Sequence, residues 1–394
     1  MKRAAVLGGG PAGAFAAERL AKAGWKVVVL DEKLAWEKPC GGGLTCKAYT
    51  QYPFLIDNDT PKKLVTRTAM AVSSTGAVDF HLRDPLLIYS RYDLNRLMLE
   101  RAERAGAQME KARVREVQRA GAGWSVHTSS GVLDADYCIV AMGARNPLRD
   151  LGTQLGSDDT MTALGYYIPG QREQIDLQFL EQLEGYIWAF PRCGHVSVGI
   201  CGKGLPAQAL RRKLEQYLCK RGIAWNGSPF YSHLLPCLRT PSWKSNRVSG
   251  EGWMAVGDSA GLVDPITGEG LYYAIRSADL AARALTTGGE AAASESYREA
   301  LWREIGAELE FASRIARRVF LGKFLFGSVP ARMIQFTRHS ATFTVIMQDL
   351  FAGSQAYLDL KSRLWRSLHR TLSETALSVL SARNSPALKD DPQP

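Results

Sequence analysis

A glycine-rich N-terminal segment, AAVLGGGPAGAFAAERLAKAGWKVVVLDEK, leaves few folds open to this chain. Residues 4–7 are apolar and predict a short buried strand, and Gly8, Gly10 and Gly13 follow it with the spacing Gly-x-Gly-x-x-Gly. Glycines at this spacing let the backbone approach a pyrophosphate, and the N-terminus of the helix that follows offers free N–H groups and positive potential. The segment therefore predicts a Rossmann-like strand-turn-helix unit with a phosphate-binding turn.

The rest of the segment completes the pattern of a dinucleotide site. An alanine-rich helix is expected to end at Gly24, and the apolar residues 27–30 predict a second strand that finishes in two acids. An acid about 20 positions after the first glycine can accept hydrogen bonds from ribose hydroxyls. The residues expected to contact a dinucleotide are Gly8, Gly10, Pro11, Ala12, Gly13, Asp31 and Glu32.

A second glycine-rich turn, in GWMAVGDSAGLVDPITGEGLYYAIRSADLAARAL, discriminates between NAD(P) and FAD. Residues 253–256 predict a strand that leads into Asp258, which can accept hydrogen bonds from ribitol or ribose hydroxyls. The N–H groups that open the next helix can face the pyrimidine end of a flavin. Two such turns at opposite ends of the sequence would clamp one extended cofactor, so we predict FAD. The residues expected beside it are Asp258, Gly268, Glu269 and Gly270.

These turns and the segment SRYDLNRLML, residues 90–99, resemble the flavoprotein class of aromatic hydroxylases, flavin-dependent halogenases and geranylgeranyl reductases. The similar segments extend from Ala4 to about Leu285. The resemblance implies that Arg91 lies along the FAD and that Asp258 binds its ribityl or pyrophosphate portion. From the residues alone, Arg91 has an alternative as a surface arginine at the start of a helix.

The segment GYIWAFPRCGHVSVGIC discriminates between members of that class. Tyr186, Trp188 and Phe190 alternate with other residues at a period of two, so they project from one face of a strand that Pro191 ends. Periodicity alone favours core packing. The segment, however, resembles the Tyr-x-Trp-x-Phe-Pro signature of geranylgeranyl reductases, which implies that Tyr186, Trp188, Phe190 and Pro191 line a cavity for an isoprenoid chain. It departs at Tyr186 and Phe190 from the Gly-Trp-x-Trp-x-Ile-Pro pattern of halogenases.

The segment KPCGGGL resembles the Cys-Gly-Gly segment of geranylgeranyl reductases. The resemblance implies that Cys40 lies near the reactive face of the flavin and that Gly41, Gly42 and Gly43 leave room for it, since only glycine lets backbone approach so closely. Three roles are open for Cys40: protonating the carbon left after hydride addition, packing against the ring, or none.

No second Gly-x-Gly-x-x-Gly unit exists to hold a nicotinamide nucleotide, so the reductant is either NAD(P)H or an external electron donor. Met142 and Gly143 replace the Asp-Gly pair that aromatic hydroxylases carry after the equivalent strand, which weakens the hydroxylase interpretation. The seven cysteines are scattered without a Cys-x-x-Cys pair, which predicts reduced thiols and no metal site.

The net charge of +10 is concentrated near the C-terminus. Residues 311–370 contain ten Lys or Arg and two acids, a net charge of +8, interleaved with large apolar side chains. This pattern is typical of helices that rest on an anionic membrane surface, and a solvated basic face of core helices is the alternative. No nucleic-acid-binding motif accompanies the charge. The chain has neither a spanning apolar run nor a signal peptide, so we expect a cytoplasmic monomer, peripheral on the cytoplasmic membrane at most.

The sequence as a whole predicts an α/β chain, α+β overall, with a Rossmann-like FAD-binding domain, an inserted antiparallel-sheet substrate domain and a C-terminal helical region. The FAD-binding domain is predicted at residues 1–60, 85–155 and 245–290, the substrate domain at 61–84 and 156–244, the helical region at 291–380 and a flexible tail at 381–394. The expected function is hydrogenation of double bonds in a prenylated lipid or prenyl diphosphate by hydride transfer from reduced FAD. The alternatives are an aromatic monooxygenase or halogenase, and a non-catalytic FAD-containing lipid-binding protein.

Overall fold

The computed structural model describes residues 1–148, 150–287 and 289–384. The strands β1 to β19 are Arg3–Leu7, Lys26–Asp31, Gly43–Leu44, Lys62–Val72, Gly76–Tyr89, Gln108–Lys111, Val114–Ala120, Gly123–Thr128, Val132–Ala135, Tyr137–Val140, Thr160–Pro169, Gln174–Phe179, Glu184–Pro191, His195–Lys203, Phe230–Pro236, Ser249–Gly250, Trp253–Ala255, Lys323–Phe324 and Gly327–Ser328. The helices α1 to α11 are Pro11–Lys22, Cys46–Gln51, Arg91–Arg104, Ala207–Lys220, Thr240–Lys244, Leu271–Thr287, Gly289–Leu301, Ala307–Leu321, Val329–His339, Ala341–Ala352 and Tyr357–Asn384.

A six-stranded sheet in the order β16-β17-β10-β1-β2-β6 carries the N-terminal glycine turn. Its strands from β17 to β6 are parallel, and residues 4–7 and 137–140 are buried along their length, as in parallel sheets covered by helices. Helix α1 begins directly after Gly10, because Pro11 fits a first helical position that needs no N–H partner. Helix α1 packs against α3 and α6. The predicted Rossmann-like unit is confirmed.

An eight-stranded sheet in the order β15-β11-β14-β13-β12-β4-β5-β3 forms the second layer. All its neighbours are antiparallel except β12 and β4, which run parallel, so the predicted antiparallel sheet is mixed. A parallel pair requires a long crossover, and here the chain passes through the six-stranded sheet between β5 and β11. Strand β5 continues to Tyr89 and therefore crosses the predicted domain bound at residues 84 and 85. A separate three-stranded sheet consists of β7, β8 and β9.

The C-terminal helices cover one face of the eight-stranded sheet. Helices α9 and α10 pack on β5, and their buried apolar side chains join those of β4 and β5 in one core. The hairpin of β18 and β19 interrupts the predicted helical region. Helix α11 continues to Asn384, into the predicted tail, and residues 385–394 lie outside the described residues. The three-part domain division stays a prediction.

The described residues contain neither a membrane-spanning helix nor a cluster of metal-binding side chains. None of the helices in the described ranges is both long and apolar enough to cross a membrane. The same part of the chain holds no group of three or more His, Cys, Asp or Glu side chains suited to a metal ion.

Candidate functional site

A cavity of about 1420 Å³ lies between loops of the six-stranded sheet, one face of the eight-stranded sheet and helices α8 to α11. The predicted site residues that line it are Gly10, Pro11, Ala12, Cys40, Gly41, Gly42, Arg91, Tyr186, Trp188, Phe190, Asp258, Gly268, Glu269 and Gly270. Those outside its lining are Gly8, Gly13, Asp31, Glu32 and Pro191. Segments far apart in the sequence therefore meet at one cavity, while their individual binding roles stay predictions.

The glycines of the N-terminal turn differ in what surrounds them. Gly8 has a φ of 109°, and a Cβ there would overlap the carbonyl oxygen of Ala141, while a Cβ at Gly13 would overlap the carbonyl oxygen of Gly8. These two glycines allow β1, β10 and α1 to pack closely. A Cβ at Gly10 would meet no atom within 4 Å. Gly10 therefore borders open space at the start of α1, where a pyrophosphate fits.

The two acids at the end of β2 are not equivalent. The Asp31 carboxylate accepts hydrogen bonds from the backbone N–H groups of Gly9, Lys33 and Leu34 at 2.6–2.7 Å, which hold the turn. The Glu32 carboxylate is exposed and lies 3.9 Å from Arg113. Glu32 therefore has more free acceptor capacity for ribose hydroxyls than Asp31, because the backbone already uses both oxygens of Asp31.

Arg91 begins helix α3 and is buried, with only 3% of its surface exposed. Its NH2 group donates to Asn95 at 3.3 Å, and within the described part of the chain its buried Nε has no hydrogen-bond partner. The alternative of a surface arginine is therefore wrong. A buried guanidinium with a free donor at the cavity wall suits an anionic group such as the FAD pyrophosphate.

Asp258, which follows β17, belongs to a charged group that the sequence did not predict. The Lys38 Nζ lies 3.1 Å from its carboxylate, and His233 of β15 lies nearby in the cavity wall. Burial opposes ionisation of Asp258, but the charge and the hydrogen bond of Lys38 hold its pKa below the usual value. Burial and the charge of Lys38 lower the pKa of His233 to about 3, so this imidazole is neutral near pH 7.

The glycines after Cys40 pack against protein atoms on one side. A Cβ at Gly41 or Gly43 would lie 3.3 or 3.2 Å from the Phe190 ring, and one at Gly42 would overlap the carbonyl oxygen of Tyr89. We predicted that these glycines leave room for a flavin. The structure adds a second reason for them, because they also allow the Phe190 ring to pack against the loop. The Cys40 Sγ accepts a hydrogen bond from the Gly42 N–H at 3.2 Å.

A buried arginine that the sequence prediction missed holds this loop. Arg192 is fully buried and donates to the carboxylate of Glu37 and to the carbonyl oxygen of Cys40. Burial raises the pKa of Glu37, but Arg192 and the N–H groups of Arg91 and Tyr92 overcome this and lower it below its usual value. No local signal distinguishes Arg192 from a surface arginine, since its partners lie about 150 positions away.

The aromatic residues of β13 form an apolar wall of the cavity. Tyr186, Trp188 and Phe190 all line it, and the Tyr186 hydroxyl donates to the carbonyl oxygen of Thr267. The Tyr186 ring stacks on Phe320 with centroids 6.4 Å apart. Pro191 pairs with Val196 at the end of the strand and does not reach the cavity.

Helices α8 to α10 extend this apolar wall, so many apolar side chains of the basic segment face the protein interior, and contact of this segment with a membrane stays a prediction. The residues that contribute are Phe311, Ile315, Val319, Met333, Phe336, Phe343, Ile346, Met347, Leu350 and Phe351. Phe336, Phe343 and Met347 are buried. Apolar residues interleaved with basic ones produce the same sequence pattern on a membrane-facing helix and on a helix that lines an internal cavity. The sequence alone therefore does not discriminate between these two environments.

Glu269 lies in the cavity with an unusual environment for a carboxyl group. Its Oε1 accepts a hydrogen bond from the Thr45 hydroxyl at 3.1 Å. Burial and the nearby Asp264 carboxylate raise the pKa of Glu269 to about 7. The group can therefore hold or release a proton near neutral pH, a property that its predicted role beside the cofactor did not include.

The residues present fit FAD. Gly10 and the start of α1 leave space for a pyrophosphate, and the unpartnered Arg91 Nε supplies a donor for it. Asp258 remains ionised and can accept from ribityl hydroxyls. The turn that contains Gly268 and Gly270 opens α6 beside the same cavity.

Two curated relatives are similar to this chain over most of its length. The chain is 30% identical to menaquinone reductase from Mycolicibacterium smegmatis over 399 residues, which covers 92% of this chain and 94% of that protein. It is 28% identical to the chloroplastic geranylgeranyl diphosphate reductase of Oryza sativa over 324 residues, covering 73% of this chain and 66% of the rice protein. No family model matches the chain.

Solved structures with the same fold have low sequence identity. A geranylgeranyl bacteriochlorophyll reductase-like protein from Thermoplasma acidophilum has a TM-score of 0.76 and 19% identity, covering 93% of this chain and 98% of that one. A flavin-dependent brominase has a TM-score of 0.68 and 16% identity, covering 89% and 93%. At these identities the likeness establishes the fold alone.

Proposed function

Because the chain belongs to the geranylgeranyl reductase family of FAD-dependent oxidoreductases, we propose that it reduces carbon-carbon double bonds of a geranylgeranyl or other polyprenyl chain. The substrate class is a prenylated lipid or a prenyl diphosphate. The proposal covers NAD(P)H and an external donor as electron sources, because the sequence has no second dinucleotide-binding turn.

The observation that carries the proposal is the long apolar extension of the cavity. Ligand pockets commonly enclose about 300–1,000 Å³. This cavity is larger, about 1420 Å³, and continues from Asp258 and the glycine turns past Trp188 to Phe343 and Met347. Such a shape suits a cofactor at one end and a flexible apolar chain at the other.

The side chains support the chemistry in three ways. Bound and reduced, FAD supplies a hydride to an isolated double bond. Tyr186, Trp188 and Phe190 grip the prenyl chain by apolar contact and exclude water from the reacting carbons. Cys40 and Glu269 both line the cavity and can carry the proton that the second carbon requires.

The direct test is anaerobic. The FAD-loaded protein is reduced with dithionite and mixed with geranylgeranyl diphosphate or a geranylgeranylated lipid extract, and the products are weighed by mass spectrometry. We expect products heavier by two hydrogens or multiples of two. If the flavin stays reduced and no prenyl substrate gains mass, the proposal is wrong, and oxygenated or chlorinated products in air would favour a monooxygenase or halogenase.

A double variant tests the aromatic wall. Tyr186→Ala/Phe190→Ala removes apolar contacts on the cavity side of β13, so we expect loss of prenyl binding and turnover while FAD absorbance persists. Phe230→Ala removes an aromatic ring from β15 of the same sheet, outside the cavity lining, and should retain turnover. Unchanged turnover in the double variant with FAD bound would refute the assignment of this wall.

A further inference from the structure

The hairpin of β18 and β19 presents an apolar tip to solvent. Its strands pair through Lys323 with Ser328 and Phe324 with Gly327, so Leu325 and Phe326 form a two-residue loop. The Phe326 side chain is fully exposed, and Phe324 and Leu325 are 42% and 43% exposed. We call Phe324, Leu325 and Phe326 the apolar tip.

The backbone conformation of this loop is unfavourable for large apolar side chains. Leu325 and Phe326 have φ values of 46° and 63°, the left-handed region on both central positions. A two-residue hairpin loop of this kind favours Asn-Gly, because bulky side chains are strained at positive φ. The carbonyl oxygens of Phe324 and Leu325 accept hydrogen bonds from Arg332, which holds the loop. The two loop residues thus combine backbone strain with exposed apolar surface, so neither folding nor solubility explains them.

Positive charge lies on the hairpin, at the end of the helix that precedes it and at the cavity lining that the hairpin shares. Within the described part of the chain, Arg317, Arg318, Lys323 and Lys361 form no ion pair with a carboxylate. The two acids of residues 311–370 do not offset them, since Asp349 already pairs with Arg83 and Arg363, and Asp359 is one charge in the first turn of α11. Unpaired cations beside exposed aromatic side chains complement anionic headgroups above an acyl layer.

The apolar tip adjoins an opening of the cavity. Lys323, Phe324, Lys361 and Trp365 line the cavity and are also exposed to solvent, so they mark part of its rim. Trp365 is 67% exposed, and tryptophan is enriched where proteins meet the headgroup region of a membrane. An apolar molecule leaving a bilayer at this rim would enter the cavity without crossing water.

We propose that the apolar tip inserts into an anionic lipid bilayer and holds the adjoining rim of the cavity against it. The prenyl chain of a membrane lipid then passes from the bilayer into the cavity. The evidence for insertion is the exposure and charge of the hairpin itself, whereas the passage of a prenyl chain rests on the proposed function.

Vesicle binding tests insertion without any turnover. The full-length, FAD-loaded protein is floated with vesicles of phosphatidylcholine, alone or mixed with phosphatidylglycerol, that contain no prenyl lipid. We expect binding to the mixed vesicles that weakens in high salt. Leu325→Asn/Phe326→Gly replaces the two loop residues of the apolar tip with the pair that this loop favours, and it should weaken binding about tenfold or more.

The same double variant controls for misfolding. Asn-Gly fits positive φ at both positions, so its melting temperature should equal or exceed that of the wild type. Val132→Asn removes a different exposed apolar side chain, 62% exposed on β9 and outside the cavity, and should bind vesicles like the wild type. Wild-type binding by the Leu325→Asn/Phe326→Gly variant would overturn the proposal. The proposal would also be overturned if the wild type does not bind vesicles but forms a dimer that dissociates in the variant. That result would assign the tip to contact with a second copy of the chain.

Turnover separates failure of this inference from failure of the proposed function. Leu325 and Phe326 do not line the cavity, so the variant should reduce a dispersed prenyl diphosphate at the wild-type rate and a vesicle-embedded prenyl lipid more slowly. Equal rates on the embedded lipid would contradict delivery through the rim. If the wild type turns over neither substrate, the proposed function is refuted. The vesicle-binding comparison would still decide whether the tip inserts into a bilayer.

Discussion

Gly10 and Gly13 illustrate how one residue type serves two purposes within the same turn. Gly13 is required by protein packing, since a Cβ there would overlap the carbonyl oxygen of Gly8. Gly10 faces open space, so its lack of a side chain matters only when a ligand is present. Sequence spacing marks both positions equally, and only the surrounding atoms separate them.

This difference predicts opposite outcomes for two alanine variants. Gly10→Ala should leave the stability of the FAD-free protein within about 0.5 kcal/mol of wild type while weakening FAD binding, because the methyl group occupies space meant for the ligand. Gly13→Ala should destabilise the FAD-free protein itself, by about 1–3 kcal/mol, through overpacking. Urea unfolding without FAD and titration with FAD measure both. Equal FAD affinity of Gly10→Ala and wild type would contradict the assignment of Gly10.

Glu269 predicts a pH dependence of stability. Its pKa rises from 4.5 to about 7 on folding, so between these values the folded state holds a proton that the unfolded state has lost. The stability contributed by the protonated carboxyl is therefore present below about pH 4.5 and is lost as the pH rises to about 7. Relative to the Glu269→Gln variant, the free energy of unfolding of the wild type should fall by about 1–3 kcal/mol between pH 5 and pH 8.

Urea unfolding of both proteins without FAD, at several pH values, checks this expectation. The comparison with Glu269→Gln cancels the contribution of His233, which is present in both proteins. Asp264 interacts with Glu269, so the difference between the two proteins measures the ionisation of Glu269 together with its effect on Asp264. Parallel stability curves would show that Glu269 ionises normally, and the case for it as a proton carrier would then fail.

At the scale of elements, the first turn of α11 connects two distant parts of the chain. The N–H groups of Tyr357 and Leu358 donate to the Glu308 carboxylate of α8 at 3.1 and 3.3 Å. The Tyr357 hydroxyl donates to Asp264, in the loop before α6, at 2.8 Å. Helix α11 is therefore attached to the loop that borders the proposed flavin site.

Removing one hydroxyl should loosen this attachment. Tyr357→Phe leaves the buried Asp264 without that donor, which costs about 1–3 kcal/mol. We expect faster hydrogen exchange in α11 and in the loop around Asp264. Tyr92→Phe, at a half-exposed tyrosine of α3, should change stability by less than about 0.5 kcal/mol and leave this exchange unaltered. Exchange in α11 at the wild-type rate would contradict the attachment.

At the scale of the whole molecule, the cavity joins segments from nearly the entire described chain. Gly10, Arg91 and Asp258 reach it from different strands and helices of the Rossmann-like layer, while Trp188 reaches it from the second sheet. A ligand that contacts all these segments stabilises the folded state as a unit, because the unfolded chain cannot assemble the site.

FAD should therefore raise the melting temperature in a concentration-dependent way. At 100 times the dissociation constant, the added stability is about 2.7 kcal/mol. Arg91→Gln removes the buried guanidinium, so the same stabilisation should require more FAD. Thermal melts across an FAD titration measure both effects, and FMN, which lacks the AMP half of FAD, should stabilise less. An identical FAD dependence in Arg91→Gln would exclude a contact from Arg91.

The sequence by itself determined the Rossmann-like unit, the FAD prediction and the aromatic face of β13. These follow from strand periodicity and glycine-specific turns, which act through local backbone geometry and so remain visible in neighbouring residues. The tertiary structure decided the pairing of Arg192 with Glu37, the environment of Glu269 and the parallel contact between β12 and β4. The tertiary structure also decided which apolar side chains of the basic C-terminal segment are buried. Phe343 and Met347 lie in a cavity wall, whereas the apolar tip is exposed to solvent. Such outcomes depend on which distant groups meet, because charge pairing, burial and pKa are properties of a three-dimensional neighbourhood.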